Sequence, residues 1–126
     1  MTTPSSHIFH IASRTDWKNA LERGVYEPKS LGIEGFIHCC AESQILATAN
    51  RWFRNQPDLM LLRIDPQLLR SDVRYEPPVN PAGHEPGELF PHVYGPLVLD
   101  AVLDVLDFPC DSAASFQLPH ALQRRS

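Results

Sequence analysis

The chain is poor in glycine, methionine and cysteine, with six, two and three of them in 126 residues. None of the glycines falls into a G-x-G-x-x-G or Walker-type loop, so neither a conventional dinucleotide fold nor a P-loop enzyme is expected. Cys39, Cys40 and Cys110 cannot all pair, adjacent cysteines rarely bridge, and no C-x-x-C spacing suggests zinc or redox work. No apolar run approaches the ~20 residues that cross a bilayer. Residues 1–7 lack the basic and apolar regions of a signal peptide. A reduced, cytoplasmic protein without a membrane segment is the expectation. Positive charge is scarce as well: eleven bases face fifteen acids, for a net charge of −4. Arg124-Arg125 is the one basic block, so a nucleic-acid surface, which works by neutralising phosphates, is not expected.

What is present suits one globular domain. Apolar residues make up 43% and charged residues 21%, and a chain this long buries about two-thirds of its unfolded surface. One domain over residues 7–119, between short terminal tails at 1–6 and 120–126, is the reading. His7 to Ala12 alternates as a first strand, with Phe9 and Ile11 on one face and Ile8, His10 and Ala12 on the other. Ser13 offers an N-cap to a helix that carries Trp17, Ala20 and Leu21 at helical spacing and stops at Gly24. A loop from Tyr26 to Glu34 leads to a short strand, Gly35 to Cys40. The spacing then predicts a second helix over 42–54, with Trp52 and Phe53, like Trp17, assigned to core packing. Strands follow at Leu59 to Asp65 and Val73 to Glu76.

Proline is plentiful, at twelve residues, and six of them lie between Pro77 and Pro96. Proline supplies no ladder donor, so this segment reads as a long ordered loop, with 90–96 turned inward and Ala82 to Glu88 as its mobile tip. Leu97 to Phe108 reads as one long strand, and a short one is expected near Phe116-Gln117-Leu118. Helices early and strands late suggest an α+β domain.

Histidine is the other abundant residue, at six. His7 and His120 lie near the termini and read as solvated, and His84 reads as an exposed loop residue. His10, His38 and His92 sit in apolar, strand-like contexts, where a buried ring needs hydrogen-bond partners. A core role satisfied by backbone groups and a site role are both open for each. Neutral imidazoles in one cleft would suit acid–base work near pH 7. A three-histidine zinc site lacks the short-range ligand pairs that would favour it, and no metal is expected. A Cys40–His38 nucleophile lacks a third orienting group. Glu76 and Tyr94 supply a carboxylate and a phenol close to the proline-rich segment.

Several strings resemble one family in order: Ile8-Phe9-His10-Ile11-Ala12, Trp17-Lys18-Asn19-Ala20, Gly35-Phe36-Ile37-His38-Cys39, Leu61-Leu62-Arg63-Ile64-Asp65, and Phe90-Pro91-His92-Val93-Tyr94-Gly95-Pro96-Leu97. They resemble the domain-of-unknown-function 952 family (DUF952), uncharacterised bacterial proteins of about this length. Cys40 stands where that family more usually has serine. The glutathione S-transferase label sometimes attached to the family finds no support in an all-helical second domain or a thioredoxin-like opening. A more distant resemblance is to the ADP-ribosyltransferase fold, above all RNA 2′-phosphotransferases. It implies a split, mostly antiparallel sheet with two main helices early in the chain. His10 matches the first-strand histidine and His38 the second histidine of a later strand, both lining a cleft that holds NAD or an ADP-ribosylated intermediate. Glu76 is the candidate for the transferase glutamate by proximity.

The combined expectation is a cleft in which His10, His38 and His92 act on an NAD-like or phosphorylated nucleotide ligand, with Tyr94 and Glu76 as ligand-binding residues. Glycosyl or phosphoryl transfer is the implied activity and NAD the implied cofactor. The alternative is a non-catalytic module that binds a small molecule or docks a protein.

Overall fold

The computed structural model describes residues 7–79, 84–110 and 115–123. Among the described residues eight strands are present: β1 (Ile8–Ser13), β2 (Val25–Tyr26), β3 (Ile37–His38), β4 (Leu59–Ile64), β5 (Asp72–Glu76), β6 (Phe90–Tyr94), β7 (Leu97–Val98) and β8 (Val102–Asp107). The helices are α1 (Arg14–Arg23), α2 (Lys29–Glu34), α3 (Ile45–Trp52) and α4 (His120–Gln123). The strands pair antiparallel in the orders β1-β4-β8, β2-β7 and β3-β6-β5. The architecture is α+β. Among the described residues no helix is long and apolar enough to cross a membrane.

The alternation read from β1 decides how the core is divided. Ile8 and Ala12 pack with Met60, Leu62 and Ile64 on one side of the β1-β4-β8 sheet. Phe9 and Ile11 pack with Leu59, Leu61 and Ile45 on the other. The sheet is therefore apolar on both faces. α1 begins where Ser13 Oγ accepts from the Asp16 N–H at 3.0 Å and ends at Gly24, whose φ of +83° suits a residue without a side chain.

Parity also composes the β3-β6-β5 sheet. His38 faces His92, which faces Arg74 on β5, while Tyr94 faces Asp72 and Phe90 faces Glu76. Because side chains alternate, these residues share one face. The opposite face carries Ile37, Val93 and Val73 into the first core cluster. The two three-stranded sheets meet at the Phe9–Cys40 bridge, where each residue's N–H donates to the other's carbonyl at 2.8 Å.

The proline-rich stretch is not a loop as far as Pro96: residues 90–94 form β6, the central strand of its sheet. Pro91 is tolerated because a strand residue's N and C=O point to the same side. The Pro91 carbonyl accepts from the Cys39 N–H at 3.1 Å, so its missing donor faces the end of β3 and the β5–β6 ladder stays whole. Six residues of the loop before β3 coil into α2, closed by Gly35 at φ +86°. The second helix is shorter, with a 3₁₀ turn at Glu42–Gln44 before Ile45–Trp52. The long last strand is broken at Leu99–Ala101 because β7 pairs with β2 while β8 pairs with β4. Near Phe116, among the described residues, an isolated bridge to Cys110 stands in place of the expected strand. Trp52 is 49% exposed and is not a core residue. Of the expected mobile tip, residues 82 and 83 lie outside the described residues.

Candidate functional site

A cleft of about 550 Å³ opens between the two sheets and α3. Phe9, Phe53 and Phe90 give it an apolar floor, and Trp52 and Val79 stand at its rim. His38, His84 and His92 border it, together with Glu34, Ser30 and Thr48. No Lys or Arg does so among the described residues.

His92 is buried, and its Nδ1 lies 2.8 Å from Glu76 Oε1. A carboxylate oxygen only accepts, so Nδ1 carries the hydrogen and Nε2 keeps its lone pair in the neutral ring. The Tyr94 hydroxyl donates to the same oxygen at 2.6 Å. These donors, the Tyr94 bond first and the His92 bond next, hold the Glu76 carboxyl below its usual range. The same contact pushes the Tyr94 phenol up. Phe36 stacks on His92 with centroids 4.2 Å apart, and the Arg74 guanidinium covers the Tyr94 ring at 4.4 Å. Glu76 and Tyr94 thus hold His92 from behind and do not border the cleft.

His38 sits at the cleft mouth, its ring 5.6 Å from that of His92 and nearly perpendicular to it. Its Nε2 donates to Glu34 Oε1 at 2.7 Å, which leaves Nδ1 as the free acceptor of the neutral ring. Glu34 ends α2, and the left-handed turn at Gly35 brings it alongside the strand that follows.

His10 is placed differently from the other two. Its Nδ1 donates to the His38 carbonyl and its Nε2 accepts from the Tyr26 hydroxyl at 2.7 Å. Both nitrogens are taken within the protein, although the residue borders the cleft. Burial, reinforced by the charge of His38, pushes its pKa down to about 4, so it is neutral at pH 7. Burial also raises the Tyr26 phenol. His10 braces the backbone of His38, whereas His38 and His92 border the cleft with one ring nitrogen each left outside these side-chain bonds.

His84, expected in solvent, is 12% exposed along its side chain and stands edge-on to Phe90 with ring centroids 5.2 Å apart. Glu34 was not expected at the site. Its position four residues before His38 is the signal that could have found it, obscured by the helix end between them. Cys40 also borders the cleft, but burial pushes its thiol up to about 12 and that of Cys39 well above the ordinary value. A thiolate nucleophile is therefore not available there. Among the described residues no three His, Cys, Asp or Glu side chains are grouped to hold a metal ion.

The family model described as "Protein of unknown function (DUF952)" matches residues 11–105. A crystal structure of protein CC0527 from Caulobacter crescentus is 33% identical, with a TM-score of 0.78 over 90% of this chain and 95% of that one. The solution NMR structure of CC0527 gives 30% identity and a TM-score of 0.71 over 95% of this chain and 97% of that one. No curated protein matches the chain significantly. The chain belongs to the DUF952 family.

Proposed function

We propose that this DUF952 protein binds a phosphorylated, nucleotide-like small molecule in the cleft and transfers its phosphoryl group with His38 and His92 as the acid–base pair. One observation carries the reading: two facing imidazoles, 5.6 Å apart, each tied by one nitrogen to a carboxylate, stand at the mouth of an apolar cleft. The heterocycle lies on the aromatic floor and the phosphate meets the histidines. On a nucleoside 2′,3′-cyclic phosphate, His92 Nε2 takes the proton of a water whose oxygen bonds to phosphorus. The P–O2′ bond breaks, and protonated His38 gives its Nδ1 proton to the departing oxygen. The carboxylates fix which nitrogen of each ring does this work, as second partners of catalytic histidines commonly do.

The two adjacent charges of the NAD pyrophosphate fit this lining less well than the single charge of a cyclic phosphate, because the histidines share the cleft with Glu34 and no Lys or Arg borders it among the described residues. A split sheet of ADP-ribosyltransferase type is the finer fold reading, supported by two three-stranded sheets that meet at Phe9–Cys40 with His10 and His38 beside the junction. Buried free thiols at Cys39 and Cys40 suit a reducing compartment such as the cytoplasm.

Thermal unfolding with adenosine 2′,3′-cyclic phosphate, NAD and ADP-ribose, followed by ³¹P NMR of the mixtures, tests this. A ligand at a hundred times its Kd adds about 2.7 kcal/mol of stability, a shift of several degrees. Stabilisation by the cyclic phosphate with ring opening supports phosphoryl transfer to water by the histidine pair. Stabilisation without turnover leaves a binding module, and no response to any of the three refutes the proposal.

A further inference from the structure

His84 carries a structural arrangement that neither the acid–base pair nor the packing accounts for. Its Nδ1 donates to Glu88 Oε1 at 3.3 Å. The other Glu88 oxygen accepts from Gln44 Nε2 at 3.1 Å, and Gln44 also donates to the Leu89 carbonyl at 3.0 Å. Gln44 is itself held by the Ala41 N–H, which donates to its Oε1 at 2.8 Å. This chain of bonds ties the segment before β6 to the start of α3 and fixes the His84 ring over Phe90. With Nδ1 committed to a carboxylate, the neutral ring has Nε2 left as an acceptor.

Position along the sheet gives this acceptor a purpose. Phe90 and His92 are two residues apart on β6, so they share a face about 6.7 Å apart along the strand. His84 contacts Phe90, and the His38–His92 pair borders the same cleft. A planar ring resting on Phe90 with its phosphate at the pair would therefore turn its far edge towards His84.

We infer that His84 reads the edge of the heterocycle and selects a ring that presents an amino group over one that presents a carbonyl oxygen. The inference rests on the proposed nucleotide-binding role of the cleft and adds the substrate class. An exocyclic N–H₂ donates to Nε2, whereas an oxo group in the same place sets two acceptors against each other. One such hydrogen bond is worth roughly 1–1.5 kcal/mol, or about tenfold in affinity.

AMP and IMP differ along this edge only, at C6 and at N1, where IMP carries a hydrogen that N1-methyl-IMP removes, and calorimetric titration of all three into the full chain is the test. The wild type is expected to bind AMP about tenfold tighter than the other two. In His84→Ala, with folding checked by thermal unfolding, AMP should weaken about tenfold and IMP should not change. His84→Gln, whose amide oxygen also accepts, should restore part of the preference. Equal affinities in the wild type, or a preference that survives His84→Ala, overturn the role of His84 while leaving the cleft reading intact. Failure of all three nucleotides to bind the wild type overturns the two together.

Discussion

Glu76 accepts from His92 and from Tyr94 through the same oxygen, Oε1, at 2.8 and 2.6 Å. Two donors from one strand thus converge on a single atom of the next. The carboxylate keeps His92 in the tautomer with hydrogen on Nδ1, and the phenol stops the carboxylate from turning away.

Replacing that carboxylate should release the tautomer. In Glu76→Gln the amide can present its N–H₂ to Nδ1 instead, which would move the ring hydrogen to Nε2. Nitrogen chemical shifts of His92 should show an unprotonated Nε2 in the wild type at pH 8 and a mixture in the variant. Nucleotide affinity should fall about tenfold, as expected for roughly 1.4 kcal/mol. A wild-type ring with hydrogen on Nε2 would contradict the assignment.

The buried ring of His10 makes stability depend on acid in a fixed direction. Its folded pKa of about 4 lies below the ordinary 6.5. Between those values the unfolded chain binds a proton that the folded chain refuses, so stability is lost as the pH falls. The loss from this residue should reach about 3 kcal/mol at pH 4. Urea unfolding between pH 7 and pH 4 should show a shallower decline in His10→Gln than in the wild type. Parallel declines would mean that other groups set the acid sensitivity.

Gly95 is a position where a single methyl should matter. A Cβ built there would lie 2.3 Å from Ser71 Oγ and 2.9 Å from Ser71 Cβ. That serine hydroxyl donates to the Pro96 carbonyl at 2.9 Å, so it cannot withdraw without giving up the bond. Gly95→Ala should cost about 1–3 kcal/mol, typical of overpacking. The double variant with Ser71→Gly should recover part of it. An unchanged denaturation midpoint in Gly95→Ala would show that the serine moves freely.

Two aromatic side chains should separate stability from binding. Phe108 is 1% exposed and Trp52 is 49% exposed at the cleft rim. Phe108→Ala should lose about 3–5 kcal/mol. Trp52→Ala should lose less than about 1.5 kcal/mol yet weaken nucleotide binding. A comparable loss of stability in both would place Trp52 in the core after all.

Local chemistry makes part of this structure legible in the sequence. Alternation in β1 placed Ile8 and Ala12 opposite Phe9 and Ile11, and Ser13 and Gly24 marked the ends of α1, because these signals act within a few residues. β6 was hidden because a proline count says nothing about which side of a strand lacks its donor. Phe90, His92 and Tyr94 do alternate with Pro91 and Val93, a pattern visible once Pro91 is set aside. α2 has no side-chain cap and contains Gly32, so propensity argued against it. His38 and His92 were legible as cleft candidates only together with His10, whose ring nitrogens turn out to be bonded within the protein. The carboxylates of the first two were not equally legible, since pairing of Glu76 with His92 depends on the register between β5 and β6. His84 was misplaced because its neighbours in sequence resemble a solvated turn, while its partners Glu88 and Phe90 come from the chain folding back.

β1 and β4 are apolar on both faces, so hydrophobic burial alone discriminates weakly between one alignment of the two strands and another shifted by a residue. The hydrogen bond between His10 and Tyr26 breaks that degeneracy. A shift of one place would put the imidazole among Phe9's neighbours and leave an isoleucine facing the phenol, with two buried polar groups unsatisfied. A single polar contact thus works as a key cut for one alignment. Its contribution is to the uniqueness of the fold more than to its depth, and a chain carrying His10→Leu with Tyr26→Phe should fold readily but into more than one strand register.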